Sequence, residues 1–192
     1  MNEAQYVVGI DLGTSNCALA YAELSEQSEG RPVIHQLDIL QLVAPQDPQE
    51  RALLPSAMYL PAEHEQANLQ LPWGETKEVV GEAARKLGGK TPIRFIESAK
   101  SWLCHGGVNR THSILPWHAP DEVAKRSPVE VSTAYLAHLV QAWAVQFPDA
   151  PLEKQVVVVT VPASFDEVAR KLTVEAAAKA GLPHSTLIEE PL

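Results

Sequence analysis

The chain has 192 residues, 45% hydrophobic and 20% charged, with a formal net charge of −9. That suits one domain or two subdomains with a core large enough to need no staples, and the acidic balance excludes nucleic acid and anionic membrane as main partners, since both call for a basic surface. Its only cysteines, Cys17 and Cys104, exclude a disulfide scaffold and suit a reducing compartment. No apolar leader precedes Tyr6 and no run of about 18 apolar residues occurs, so a cytoplasmic location is expected.

In chain order, the first strand signal is Tyr6–Asp11, followed by a turn through Gly13, Thr14, Ser15 and Asn16 and a second strand over Cys17–Glu23. Weaker strand patterns cover Ile34–Val43, Ala57–Leu60 and Glu78–Val80, separated by proline-bearing loops. Residues 82–87 read as helix, and a longer helix is expected over Pro92–Leu103. Ser127-Pro128-Val129-Glu130 is a capping box with proline at the first helical position. Val131, Tyr135, Leu139 and Trp143 then recur at helical spacing, giving one apolar face. The run "QVVVVTV" at 155–161 predicts a central strand covered on both faces. A second capping box is read at Ser164–Glu167, opening a helix that buries Phe165, Val168, Leu172 and Ala176 and stops at Gly181. Thr186–Glu189 is the last strand. The class is α/β, with a sheet-bearing core from residues 1–53 and 127–192 and an inserted segment at 54–126.

Two patterns mislead. Gly88-Gly89-Lys90-Thr91 resembles the end of a P-loop, but Ala84 stands where the first glycine is required and the segment before it reads as helix. Cys104, His105, His112 and His118 have no standard zinc spacing.

The first turn is more informative. Backbone N–H groups in a glycine-containing turn can form an anion-binding concavity, and Asp11 at the strand end can hold a magnesium ion through water. An Asx-type turn capped by Asp11 is the commoner use of such a sequence, and the turn alone does not choose between them. Lys100 falls at the margin of the apolar arc of its expected helix. It can snorkel, or it can carry a point charge to a phosphate. Glu190 follows the last strand, before a proline, where it can orient a water or close a turn.

Taken together, "GIDLGTSN" at 9–16, "ESAKSWL" at 97–103 and "VTVPASF" at 159–165 with the following "AR", "AGL" and "EEP" resemble the seventy-kilodalton heat-shock chaperone family, within the actin-like ATPases. "LPS" at 54–56 and "GEAA" at 81–84 fit in order, and Asn16 is the bacterial form of the loop. The resemblance is weakest over residues 20–75 and 104–126. It implies an actin-like, ribonuclease H-like lobe: a mixed central sheet flanked by helices, with an inserted smaller subdomain.

The resemblance also implies roles. Gly13, Thr14 and Ser15, with Asn16 closing the loop, would grip the β- and γ-phosphates of ATP or ADP, and Asp11 would hold the water shell of Mg2+. Lys100 would stabilise charge on the transferring phosphoryl group and Glu190 would orient the attacking water. Pro162 and Arg170 would relay nucleotide state towards a client-binding domain, Arg170 lying off the buried stripe of its helix and free to do so. In the family a second lobe and a peptide-binding domain follow the glutamate strand, so the sequence reads as the first lobe of a longer protein. Its partners would be unfolded client peptides and co-chaperones, and the isolated lobe is expected to be inactive. Two rivals share the loop chemistry: a sugar or acid kinase of the same superfold, and a nucleotide-sensing scaffold without turnover.

Overall fold

The computed structural model describes residues 4–28, 30–74 and 77–190. β1 (Tyr6–Leu12) and β2 (Asn16–Glu23) form a hairpin, followed by a short ribbon of β3 (Gln27–Ser28) and β4 (Arg31–Pro32). β5 (His35–Gln36) pairs with β2, and β6 (Ile39–Ala44) pairs with β7 (Asp47–Arg51). Next come β8 (Leu54–Pro55), β9 (Ala57–Tyr59), the single turn α1 (Glu63–Gln66), β10 (Val79–Val80), α2 (Glu82–Lys90), β11 (Phe95–Glu97) and α3 (Ala99–Cys104). The chain then runs through α4 (Pro128–Gln146), β12 (Val156–Val161), α5 (Glu167–Lys179) and β13 (Thr186–Glu189).

The main sheet has the order β13-β12-β1-β2-β5, with β8 joined to β2. β12 runs parallel to both β1 and β13, while β2 is antiparallel to β1, so the sheet is mixed as expected. A smaller sheet, β10-β9-β11, packs against α2.

One face of the main sheet carries the core. Val8, Ile10 and Leu12 alternate inwards along β1, and meet Cys17, Leu19, Val157 and Val159 from its neighbours. Tyr135, Leu139 and Trp143 of α4 and Leu172 and Ala176 of α5 belong to the same cluster. Each valine, leucine or isoleucine among them stabilises by about 1.5–3 kcal/mol relative to exposure. The helix α4 starts where its capping box places it: Ser127 Oγ accepts the Glu130 N–H at 3.1 Å, and Glu130 Oε2 accepts the Ser127 N–H at 2.7 Å.

The other face of the sheet is only partly covered, contrary to the expectation for "QVVVVTV". Val156 and Ile188 are about half exposed, and burial along β12 alternates. A β-branched run favours a pleated strand whichever face is covered, so the run speaks for the strand and not for its surroundings.

Three further expectations give way. The pattern at Ile34–Val43 is two strands with different partners, β5 and β6, not one. The helix expected over Pro92–Leu103 is a 3-10 turn at Pro92–Arg94, then β11, then α3. Ser98 sits between them at φ 56°, a left-handed conformation that breaks any continuous helix. The cap of α5 is Asp166 rather than Ser164, with Asp166 Oδ1 accepting the Ala169 N–H at 2.6 Å. Phe165, Leu172 and Ala176 are buried as expected, joined by Ala169 and Thr173, whereas Val168 is exposed. Gly181 does end the helix, at φ 96°.

Candidate active site

The turn between β1 and β2 is built around Gly13, where a Cβ would collide with the Asn16 carbonyl oxygen. Only glycine fits such an approach. Leu12 pairs with Cys17 across the hairpin, so the four residues Gly13 to Asn16 must reverse the chain, with Thr14 and Ser15 left exposed.

Asp11 lies on the half-open face at the carboxyl end of β1, level with Thr160 on the neighbouring parallel strand. Thr160 Oγ1 is 3.4 Å from Asp11 Oδ1. Sequence reasoning misses Thr160, although a hydroxyl residue inside an otherwise apolar strand run is its visible signal.

Glu190 directly follows β13, and its N–H bonds the Val161 carbonyl at 2.8 Å, which fixes it at the same edge of the sheet. β13 is two strands from β1, a span of about 10 Å. Lys100 reaches this edge from α3. The helix begins only at Ala99, so Lys100 stands in its first turn and not at the margin of a long apolar arc. Its side chain is 7% exposed, and its Nζ donates to Glu190 Oε1 at 2.8 Å and sits 5.9 Å from the centre of the Phe165 ring. Contact with the electron-rich face of a ring and with a carboxylate accounts for a buried ammonium.

Between loop and lysine lies Cys17. Burial pushes its thiol up to about 11, opposed by its bond to Ser56; the Asp11 charge raises it further and Lys100 lowers it. The thiol therefore stays protonated and is no nucleophile here.

Arg170 is not free, although its place off the buried stripe suggests it. Its Nη2 pairs with Glu189 Oε1 at 2.7 Å and its Nε donates to the Phe165 carbonyl at 3.2 Å. It thus grips the residue before Glu190. Pro162 follows β12 directly, and its carbonyl accepts the Phe165 N–H at 3.0 Å. Nearby, Arg110 makes a two-pronged contact with Asp166 at 2.8 Å and 2.8 Å. That guanidinium, together with the Ala169 N–H, lowers the Asp166 carboxyl to about 2.

The arrangement offers turn amides, an exposed carboxylate, and a buried ammonium paired with a partly open carboxylate along one sheet edge. These are groups for positioning an anion and a hydrated cation. The segment "GGKT" belongs to the end of α2, where Gly88 packs against the Phe95 ring and forms no phosphate loop.

Comparison with known proteins shows the family. A family model described as "Hsp70 protein" matches residues 74–192, more than half of the chain. The chain is 33% identical to a "Chaperone protein HscA homolog" of Pseudomonas aeruginosa (strain UCBPP-PA14), over 99% of this chain and 28% of that protein. Homologues of the same description from Actinobacillus pleuropneumoniae serotype 5b and Polynucleobacter necessarius subsp. necessarius are each 31% identical, again over 99% of this chain. The chain thus spans a little over a quarter of the length of these relatives. The match of the family model across α3, β12 and β13, and the relatives' coverage of the first loop, leave the sugar-kinase reading without support. The chain belongs to the Hsp70 family.

Proposed function

We propose that this chain is the first, phosphate-gripping lobe of the nucleotide-binding domain of an ATP-driven chaperone, in which ATP binding and hydrolysis control the hold on unfolded client peptides. The observation that carries the reading is the buried Lys100 paired with Glu190, at the sheet edge where Asp11 and the Gly13 turn also end. The buried ammonium and the carboxylate beside it, groups that can act on a phosphoryl group and on a water, speak for turnover rather than for sensing alone.

In this reading residues 54–126 form a smaller subdomain set into a core from 1–53 and 127–192. The amides of Gly13, Thr14, Ser15 and Asn16 hold the β- and γ-phosphates. Asp11, exposed and met among the described residues by the hydroxyl of Thr160, has a lone-pair surface suited to the water shell of Mg2+. Bound Mg2+ supplies charge neutralisation on the phosphate oxygens. Lys100 acts on charge that develops on the transferred phosphoryl group, which matters more in the transition state than in the ground state. It also fixes Glu190 through Oε1, and the second carboxylate oxygen can accept a hydrogen bond from an attacking water and so orient it. Arg170, bonded to Glu189, would pass the state of this edge to the client-binding part, through the turn at Pro162. Co-chaperones are expected partners, and the cytoplasm is the expected location.

Phosphate release from MgATP by the longer protein that carries this chain tests the reading. Turnover that rises with an unfolded peptide and not with sugars is the expected result. A rate equal to the buffer blank, or stimulation by a sugar alone, would contradict it.

A further inference from the structure

A turn grips a phosphate only if its N–H groups face it, and a glycine-containing turn can flip a peptide plane and present a carbonyl oxygen instead. Here two of the turn's carbonyls are held from behind. Gly13 O accepts the Ser56 hydroxyl proton at 2.6 Å. Ser15 O accepts both the Ser56 N–H and Arg85 Nη2, each at 3.0 Å. In a planar trans peptide the C=O and the following N–H point in opposite directions. Holding the Gly13 and Ser15 carbonyls back therefore turns the Thr14 and Asn16 N–H groups to the other side of the loop.

We propose that Ser56 and Arg85 are positioning residues that keep this loop's donors facing a bound phosphate chain; this rests on the ATP-site reading above. Ser56 can hold the loop because it is itself fixed. It is 3% exposed, and it follows β8, whose Leu54 and Pro55 pair with Cys17 and Asn16 at the start of β2. Its hydroxyl also lies 3.4 Å from the Cys17 thiol, so it has a neighbour on each side. Arg85 comes from a different element, the exposed side of α2, and adds a positive charge beside the loop as well as a hydrogen bond.

The test uses Ser56→Ala, Arg85→Gln and Arg85→Lys in the longer protein, with hydrogen exchange at residues 13–16 and the affinities for MgATP, MgADP and adenosine as readouts. Ser56→Ala and Arg85→Gln should speed loop exchange and weaken ATP and ADP about tenfold, with adenosine affinity unaltered. Arg85→Lys should recover part of the loss. Loop exchange unaltered by Ser56→Ala and Arg85→Gln, or adenosine weakened as much as ATP, would overturn the proposal. Should Ser56→Ala not fold, the exposed Arg85→Gln decides it by the same criteria. A wild type that binds no nucleotide would end the ATP-site reading and this one with it, whereas normal nucleotide binding by the variants would end this one alone.

Discussion

Lys100 Nζ lies 2.8 Å from Glu190 Oε1, joining residues 90 positions apart across the sheet edge. The lysine is buried and the glutamate partly open, so the pair is anchored from the lysine side. A group held in place before its ligand arrives needs no reorganisation when charge develops, which is where its effect on rate would come from.

Lys100→Ala in the longer protein should accordingly lower single-turnover hydrolysis by about 10² or more while ATP affinity changes little. Lys100→Arg should not restore the rate, because a planar guanidinium does not occupy the place of a compact ammonium. Turnover equal to wild type in Lys100→Ala would remove the lysine from the mechanism.

His138 predicts an acid-sensitive stability. Its Nε2–H donates to the Leu40 carbonyl at 2.9 Å, Trp73 meets its ring edge to face, and the adjoining cavity, about 220 Å³, is also lined by Glu78 and Gln141. Burial lowers its pKa to about 4, partly offset by the bond to Leu40. Between about 4 and 6.5 the unfolded chain then binds a proton that the folded chain does not, so stability falls as pH drops through that window. The loss is of the order of 3 kcal/mol at full extent. Chemical unfolding at pH 7 and pH 4.5 should show this slope, and His138→Gln should flatten it. An unchanged slope in the variant would show that other groups carry the effect.

Asp166 acts in a lower window. Its carboxyl is held near 2 in the folded chain against an ordinary 3.8, so its contribution is complete above about 4 and is lost as pH falls towards 2. Asp166→Ala removes both the cap of α5 and the grip of Arg110, and should lower Tm by a few degrees at pH 7. The variant and wild type should converge near pH 2; a gap that persists there would mean the loss is one of packing.

Tyr135→Phe tests the core from the opposite direction. The Tyr135 hydroxyl is buried with no hydrogen-bond partner among the described residues. Leaving a polar group in that state costs about 1–3 kcal/mol, and phenylalanine keeps the ring without it. Thermal unfolding of the variant should match or exceed wild type. A loss of more than about 1 kcal/mol would show that the hydroxyl is in use.

Local chemistry makes part of this fold legible in the amino-acid sequence. The hairpin at Tyr6–Glu23 and the helix opening at Ser127 can be read because turn residues, cap and apolar spacing all agree there. The stretch 92–103 misleads because its apolar residues suit either a strand or a helix, and the break falls at Ser98, a residue that gives no warning of a positive φ. For the site, periodicity puts Lys100 no further than a snorkelling position, and only the family resemblance gives it a role. Ser56 and Arg85 meet the loop across 43 and 70 residues respectively, and no spacing rule within one element can reveal such contacts.

The central claim is that the Gly13 turn and the Lys100–Glu190 edge form one phosphate site, and a titration of the isotopically labelled 192-residue chain with MgATP, followed by amide NMR, tests it most directly. With one lobe alone the ligand stays open to solvent, so binding is expected only in the millimolar range, worth about 4 kcal/mol. The amides of Gly13, Thr14, Ser15 and Asn16 and that of Glu190 should shift together along one binding curve, with adenosine producing no such shifts. Shifts at those amides that follow different curves, or saturation with ATP that leaves the Gly13 turn unmoved, would contradict the account.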